Sequence, residues 1–207
     1  RFNDAVPLAR RASNSLRTSE AGDSMAALRA DMLLVNIAIT TGKLEEGAAA
    51  LDELLPRFEA GLGPKHLETG HAHNARGALH FYAGDLEASV AAYDRALVAF
   101  RAAGGETHDL VGLTLCNKGE SLAALQRPEE ATRAFTRGLS ILESRLGPDH
   151  PDLGVALKGR GVLHHQLGRL GLARDDLERA QALLVASADK PFELAETQVA
   201  LARVLRD

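Results

Sequence analysis

The chain has 207 residues, 45% of them hydrophobic, and a formal charge of −4. That is enough for one substantial domain or two small ones, and too mild a balance for non-specific nucleic-acid binding. With no Trp, two Tyr, six Phe and one Cys, the core must be built mainly from Ala, Leu and Val, which favours helices, and an internal disulfide is excluded. The most apolar run, "MLLVNIAI" at 32–39, is far below membrane-spanning length, and no signal peptide or lipidation motif is visible. The single cysteine fits a reducing compartment, so a cytoplasmic location is expected. Because the chain starts at Arg1 without Met and ends inside a helical pattern, it is expected to be a piece of a larger multidomain protein.

In chain order, residues 2–16, "FNDAVPLARRASNSL", read as the second helix of a preceding block, in a terminal segment covering 1–19. Four ungapped blocks follow at 20–61, 62–103, 104–145 and 146–187. Their register is fixed by "LGPKH" at 62–66, "GGETH" at 104–108 and "LGPDH" at 146–150, which begin 42 residues apart. A second mark repeats inside the blocks: "TGKLEEG" at 41–47, "AGDLEAS" at 83–89, "LQRPEEA" at 125–131 and "LGRLGLA" at 167–173. Residues 188–207 close the chain, with "PFELAETQVALARVLR" at 191–206 read as the first helix of a fifth block. Self-similarity at such a period is the mark of a repeat architecture.

Each full block predicts two helices. In the second block one runs from about Leu67 to Tyr82. The next runs from about Leu86 to Arg101, with Val90, Tyr93, Leu97 and Phe100 spaced as an apolar stripe. Gly42, Gly84 and Gly168, with Gln126 in the third block, fall between the helices, where a positive φ ends the first one. Gly77, Gly119 and Gly161 fall mid-helix, with Val35 in the first block; a glycine accepted there points to a crossing helix that leaves no room for a side chain. Ser89, Ala131 and Ala173 are small on the second helices, as are Ala96, Gly138 and Ala180. A helix pair cannot bury its apolar face alone, so the blocks are expected to stack. The predicted fold is all-α: one solenoid domain over 1–207, made of antiparallel helix pairs and about ten helices.

These glycine and alanine columns resemble the tetratricopeptide repeat. The 42-residue period with "LGPDHP" between blocks looks like the long-helix subclass found in kinesin light chains and many multidomain bacterial proteins. The HEAT type of helix pair has a similar period, but the paired small-residue columns favour the tetratricopeptide reading. The resemblance implies a non-catalytic scaffold or regulatory module that binds a protein, a peptide or a neighbouring domain of its own chain. The alternatives are an autoregulatory segment of a signalling enzyme and, further off, a small-molecule sensor or enzyme.

The resemblance also places the binding groove along the first helix of each pair. It puts Arg29, Met32, Asn36 and Ile39 on that wall in the first block, and His71, Asn74, Ala78 and Phe81 in the second. Leu113, Cys116, Asn117 and Glu120 follow in the third, and Val155, Lys158, Val162 and His165 in the fourth. Light-chain-like relatives carry "LNNLA" in this helix. Here "HNARG" at 73–77 and "CNKGE" at 116–120 keep one Asn each, and the fourth block has "LKGRG". An Asn offers a donor and an acceptor to an extended backbone. Arg29 and Lys158 are expected to attract an acidic segment, and Phe81 to anchor an apolar side chain.

Other chemistry is disfavoured. His71 and His73, like His164 and His165, diverge on a helix. His66, His108 and His150 share a column, but stacked repeats hold such positions too far apart for one metal ion. Cys116 has no flanking signature of a nucleophile, and "GGETH" lacks the Lys and Ser/Thr of a nucleotide loop. The acidic pairs of "LEEG", "PEEA" and "RDDL" suit helix N-termini. No cofactor, metal, membrane or nucleic acid is expected.

Overall fold

The computed structural model describes residues 7–11, 13–15, 25–187 and 190–207. Positions 2–6, 12 and 16 of the opening helix, the start of the first block at 20–24, and residues 188–189 lie outside the described residues. Helical residues 7–11 and 13–15 form α1. They are followed by α2 (Met25–Thr40), α3 (Leu44–Leu62), α4 (Leu67–Ala83), α5 (Leu86–Gly104), α6 (Asp109–Ala124), α7 (Pro128–Leu146), α8 (Pro151–Gln166), α9 (Leu170–Val185) and α10 (Pro191–Arg206). Among the described residues there is no strand. The chain divides into two compact units, Arg1–Ala103 and Gly104–Asp207, and the division falls on a block boundary. In the first unit α2 packs on both α3 and α4; in the second, α6, α8 and α10 form one layer, each beside the next, with α7 and α9 behind.

The turn inside each pair is built the same way four times. Gly42, Gly84 and Gly168 have φ of 74°, 81° and 69°, and Gln126 takes the same left-handed conformation at 57°. The N–H after each of them reaches back to the helix: Lys43 to Ala38 O, Asp85 to His80 O, Arg127 to Leu122 O and Arg169 to His164 O, all at 2.8–2.9 Å. That is a Schellman closure, which satisfies helix carbonyls that would otherwise lack a donor.

The loops between pairs use a different device. Gly63, Gly105 and Gly147, at φ of 81° to 87°, release the chain from the second helix. His66, His108 and His150 then each accept a hydrogen bond at Nδ1 from the backbone N–H two residues on, all at 3.2 Å. The histidine column is therefore a set of helix N-caps, with the imidazole doing what Ser or Asp commonly does.

Close helix crossings hold each pair together. A Cβ added to Gly77 would fall 2.6 Å from the Tyr93 ring, one on Gly119 3.0 Å from Phe135, and one on Gly161 2.8 Å from Leu177. Tyr93, Phe135 and Leu177 are almost fully buried. Phe135 and its counterparts fill the volume that the glycines vacate, and burying each such side chain is worth about 1.5–3 kcal/mol. Ser89 sits at the same crossing and donates to Gly77 O at 2.8 Å. A second glycine column occupies the N-terminal ends of α4, α6 and α8. Gly70 faces Phe100, Gly112 faces Leu142 and Gly154 faces Leu184.

Two substitutions test these turns. Gln126→Gly removes the left-handed strain and should raise stability by about 1 kcal/mol, read as a higher urea midpoint; an unchanged or lower midpoint would count against the turn geometry. His150→Ala should cost about 1 kcal/mol, whereas His150→Asn, which keeps an acceptor, should recover most of it. Equal losses in the two variants would remove capping as the explanation.

Candidate functional site

In the first unit, α2 and α4 form the wall expected to face a partner. Arg29 is exposed, but its Nε lies 2.6 Å from Glu68 Oε1, so it already has an acid. Met32 is 5% exposed and belongs to the hydrophobic core with Leu28, Val35 and Leu51, with Ile39 packed against that cluster. A core position leaves little of Met32 to face a partner. Asn36 is exposed. On α4, His71 stands edge-on to Phe100 with ring centroids 5.1 Å apart. Asn74, Ala78 and Phe81 are half-buried. Phe81 meets Tyr82 at 5.6 Å, and Tyr82, which no repeat column marks, is 61% exposed.

The second unit gathers its candidates around a cavity of about 150 Å³. Leu113, Cys116, Asn117 and Glu120 from α6, with Val155 and Ala156 from α8, form much of the lining; Asp152, Lys190 and Glu193 complete it. Cys116 is buried, and burial pushes its thiol pKa up, with Glu120 adding to the effect. A thiol so held is a poor nucleophile and serves as an apolar wall. Burial also raises the pKa of Glu120, opposed by Lys158 and reinforced by Glu196. The backbone at Gly159 leaves room for this carboxylate, since a Cβ there would lie 3.0 Å from Glu120 Oε1.

Lys158 Nζ binds Glu196 Oε2 at 2.8 Å, and His165 Nε2 lies 2.7 Å from Asp207 Oδ2. Val162 borders a separate hollow with Lys158, Glu196 and Val199. Arg29 and Lys158 are thus each already paired with a carboxylate of the protein.

Several structural roles leave no mark in the sequence. Asp176, which the sequence places in an N-terminal acidic pair, accepts two bonds from Arg160, at 2.8 Å from Nε and 2.7 Å from Nη2. That hydrogen bonding, strengthened by the charge of Asp176, raises the pKa of Arg160 against the effect of burial. The pair ties α8 to α9. Glu130 of "PEEA" does match a helix-start role, accepting from Arg127 at 2.7 Å and 2.8 Å. His73 is buried with Nε2 3.2 Å from Glu59, and His164 is buried 3.8 Å from Asp176. Among the described residues, no group of three or more His, Cys, Asp or Glu side chains is placed to hold a metal ion.

The turns, small-residue crossings and two-helix period agree with a sequence model of the tetratricopeptide repeat, which matches residues 26–102, 71–144 and 110–184. The chain belongs to the tetratricopeptide repeat family. Its fold is the all-α, solenoid-forming kind expected from the period. Among solved structures it is similar to BtubC (BKLC) from P. vanneervenii, with a TM-score of 0.77 and 17% identity, covering 99% of this chain and 83% of that one. It is also similar to a putative kinesin light chain from Podosopora anserina with nearly identical TPR-like repeats, with a TM-score of 0.66 and 13% identity, covering 91% and 90%. A point variant of that protein gives a TM-score of 0.68 at 13% identity, covering 90% and 88%. Identities this low carry the fold. No curated protein matches the sequence. No helix among the described residues is long and apolar enough to cross a membrane.

Burial lowers the pKa of both His73 and His164, against the opposing pull of Glu59 and Asp176. In the unfolded chain both titrate near 6.5. Above that value both states are neutral and nothing is lost. As pH falls below it, the unfolded state takes up protons first, so stability declines until the depressed folded values are reached. The urea midpoint should therefore drop between pH 7 and pH 5, and drop less in a His73→Leu/His164→Leu variant. An equal drop in both proteins would rule out these imidazoles as the source.

Proposed function

We propose that this chain is a non-catalytic binding module which holds an extended peptide or protein segment against its first helices, as part of a larger cytoplasmic multidomain protein. Tetratricopeptide repeats generally mediate protein–protein contacts, and the chain belongs to that family. The observation that carries the reading is the cavity between α6 and α8. Five residues chosen from the repeat register, Leu113, Cys116, Asn117, Glu120 and Val155, line one hollow. An apolar floor with a few convergent polar groups is the usual composition of a recognition pocket. At about 150 Å³ it lies below the roughly 300–1,000 Å³ typical of sites for whole small molecules. It suits one side chain of a longer ligand.

Asn117 provides an amide that both donates and accepts, and Leu113 and Val155 supply apolar contact beside it. On this reading Asn36, Asn74 and Tyr82 offer a separate set of contacts within the first unit, along α2 and α4. The test is hydrogen exchange of the full chain with and without a charge-varied library of short peptides. Bound peptides should slow exchange in α6 and α8, and Asn117→Ala should weaken binding about tenfold, the loss expected for about 1.4 kcal/mol. Protection confined to α7 and α9 would overturn the groove assignment.

A further inference from the structure

We propose that the cavity between α6 and α8 is a receptor for a lysine or arginine side chain, so that the peptide this module takes is basic. The inference rests on the peptide-binding reading above and names the chemistry of its ligand. The charge around the cavity, the nature of its walls and its size all point the same way.

Glu120, Asp152 and Glu193 line the cavity together with Lys190, and Glu120 also feels the charges of the Lys158–Glu196 pair. Lys190 Nζ binds Asp152 Oδ1 at 2.9 Å, and Lys158 binds Glu196. Three lining carboxylates against one lining ammonium group leave an excess of two negative charges when all are ionised. Burial works against the ionised form of Glu120, so an incoming cation would meet a carboxylate that gains from its charge. An acidic ligand would meet the opposite: the nearest cations are taken, and like charges at close range disfavour binding.

The walls separate an organic cation from a metal ion. Leu113, Cys116, Val155 and Ala156 give the cavity an apolar side. Methylene groups gain from such a wall, whereas a hydrated ion does not. No metal-holding group of three or more His, Cys, Asp or Glu side chains occurs among the described residues. Lysine and arginine carry an apolar stem and a charged head, and a lining of both apolar and acidic residues suits the two parts. Size agrees: at about 150 Å³ the cavity lies below the roughly 300–1,000 Å³ usual for whole small molecules, which suits a single side chain.

The experiment uses fluorescence anisotropy with the full chain and three labelled heptapeptides of one backbone. Their two central variable positions carry lysine, norleucine or glutamate. The lysine peptide should bind at least tenfold more tightly than the norleucine peptide and more tightly again than the glutamate peptide. Its affinity should fall as salt is raised. Glu120→Gln and Glu193→Gln should each weaken the lysine peptide at least fivefold without affecting the norleucine peptide, with circular dichroism confirming that both variants are folded. Binding led by the glutamate or norleucine peptide, with α6 and α8 protected from exchange, would overturn the basic assignment while leaving the groove intact. No binding by any member of the charge-varied library would overturn both readings. A lysine peptide insensitive to both glutamates would place its site elsewhere and overturn this one.

Discussion

The closeness of the two helices in each pair is the constraint on which the rest depends. At Gly77, Gly119 and Gly161 the first helix gives up a side chain, and Tyr93, Phe135 or Leu177 occupies the space. A mid-helix glycine costs about 1 kcal/mol against alanine. The buried ring or branched chain opposite it returns more than that. In the first block the exchange is made differently: Val35 and Leu51 share the volume, both fully buried. The crossing thus tolerates several divisions of one space, provided the total is kept, as expected for close-packed interiors.

Given this spacing, the termini of the helices are left to solve a hydrogen-bond problem, and the chain solves it with two devices. Within a pair, a left-handed residue folds the chain back onto its own carbonyls. Between pairs, a left-handed glycine ends the helix and an imidazole nitrogen accepts from the N–H of the second residue of the next. Within the second unit, tight connections at both ends keep α6 and α8 side by side, and that is what brings their residues to one cavity. The cavity is therefore a by-product of the packing rule. Its chemistry resides in the positions that packing leaves unassigned.

That division separates what the sequence reveals from what it conceals. The period, the turn glycines and the Gly77 column are legible because backbone geometry and volume restrict those positions to few residue types. The column of Gly70, Gly112 and Gly154 obeys the same logic but lies near helix starts, where small residues are common whether or not a neighbour presses close. Histidine is an uncommon cap, so the spacing of His66, His108 and His150 and a part in starting the next helix can be read from the sequence, while the imidazole nitrogen as acceptor cannot. Arg160 and Asp176 pair in the fourth block alone; a periodic reading has no column in which to find them. Met32 and Lys158 share a register position, yet one is in the core and the other binds Glu196. Register fixes where a side chain starts, and its length and neighbours decide where it ends.

The regularity of the helix starts has a further consequence. Leu67, Asp109 and Pro151 begin first helices, and Leu44, Leu86, Pro128 and Leu170 begin second ones, each series in steps of 42 residues. A segment of that length carries a complete crossing, one turn of each kind and one cap. Its removal or duplication would join surfaces that already have matching chemistry, because stability in such arrays is close to a sum of nearest-neighbour terms. The number of pairs is then a freely adjustable quantity, while a cavity whose lining departs from the repeat, such as the one between α6 and α8, can be carried along unchanged. Reach and specificity become separable properties of one chain.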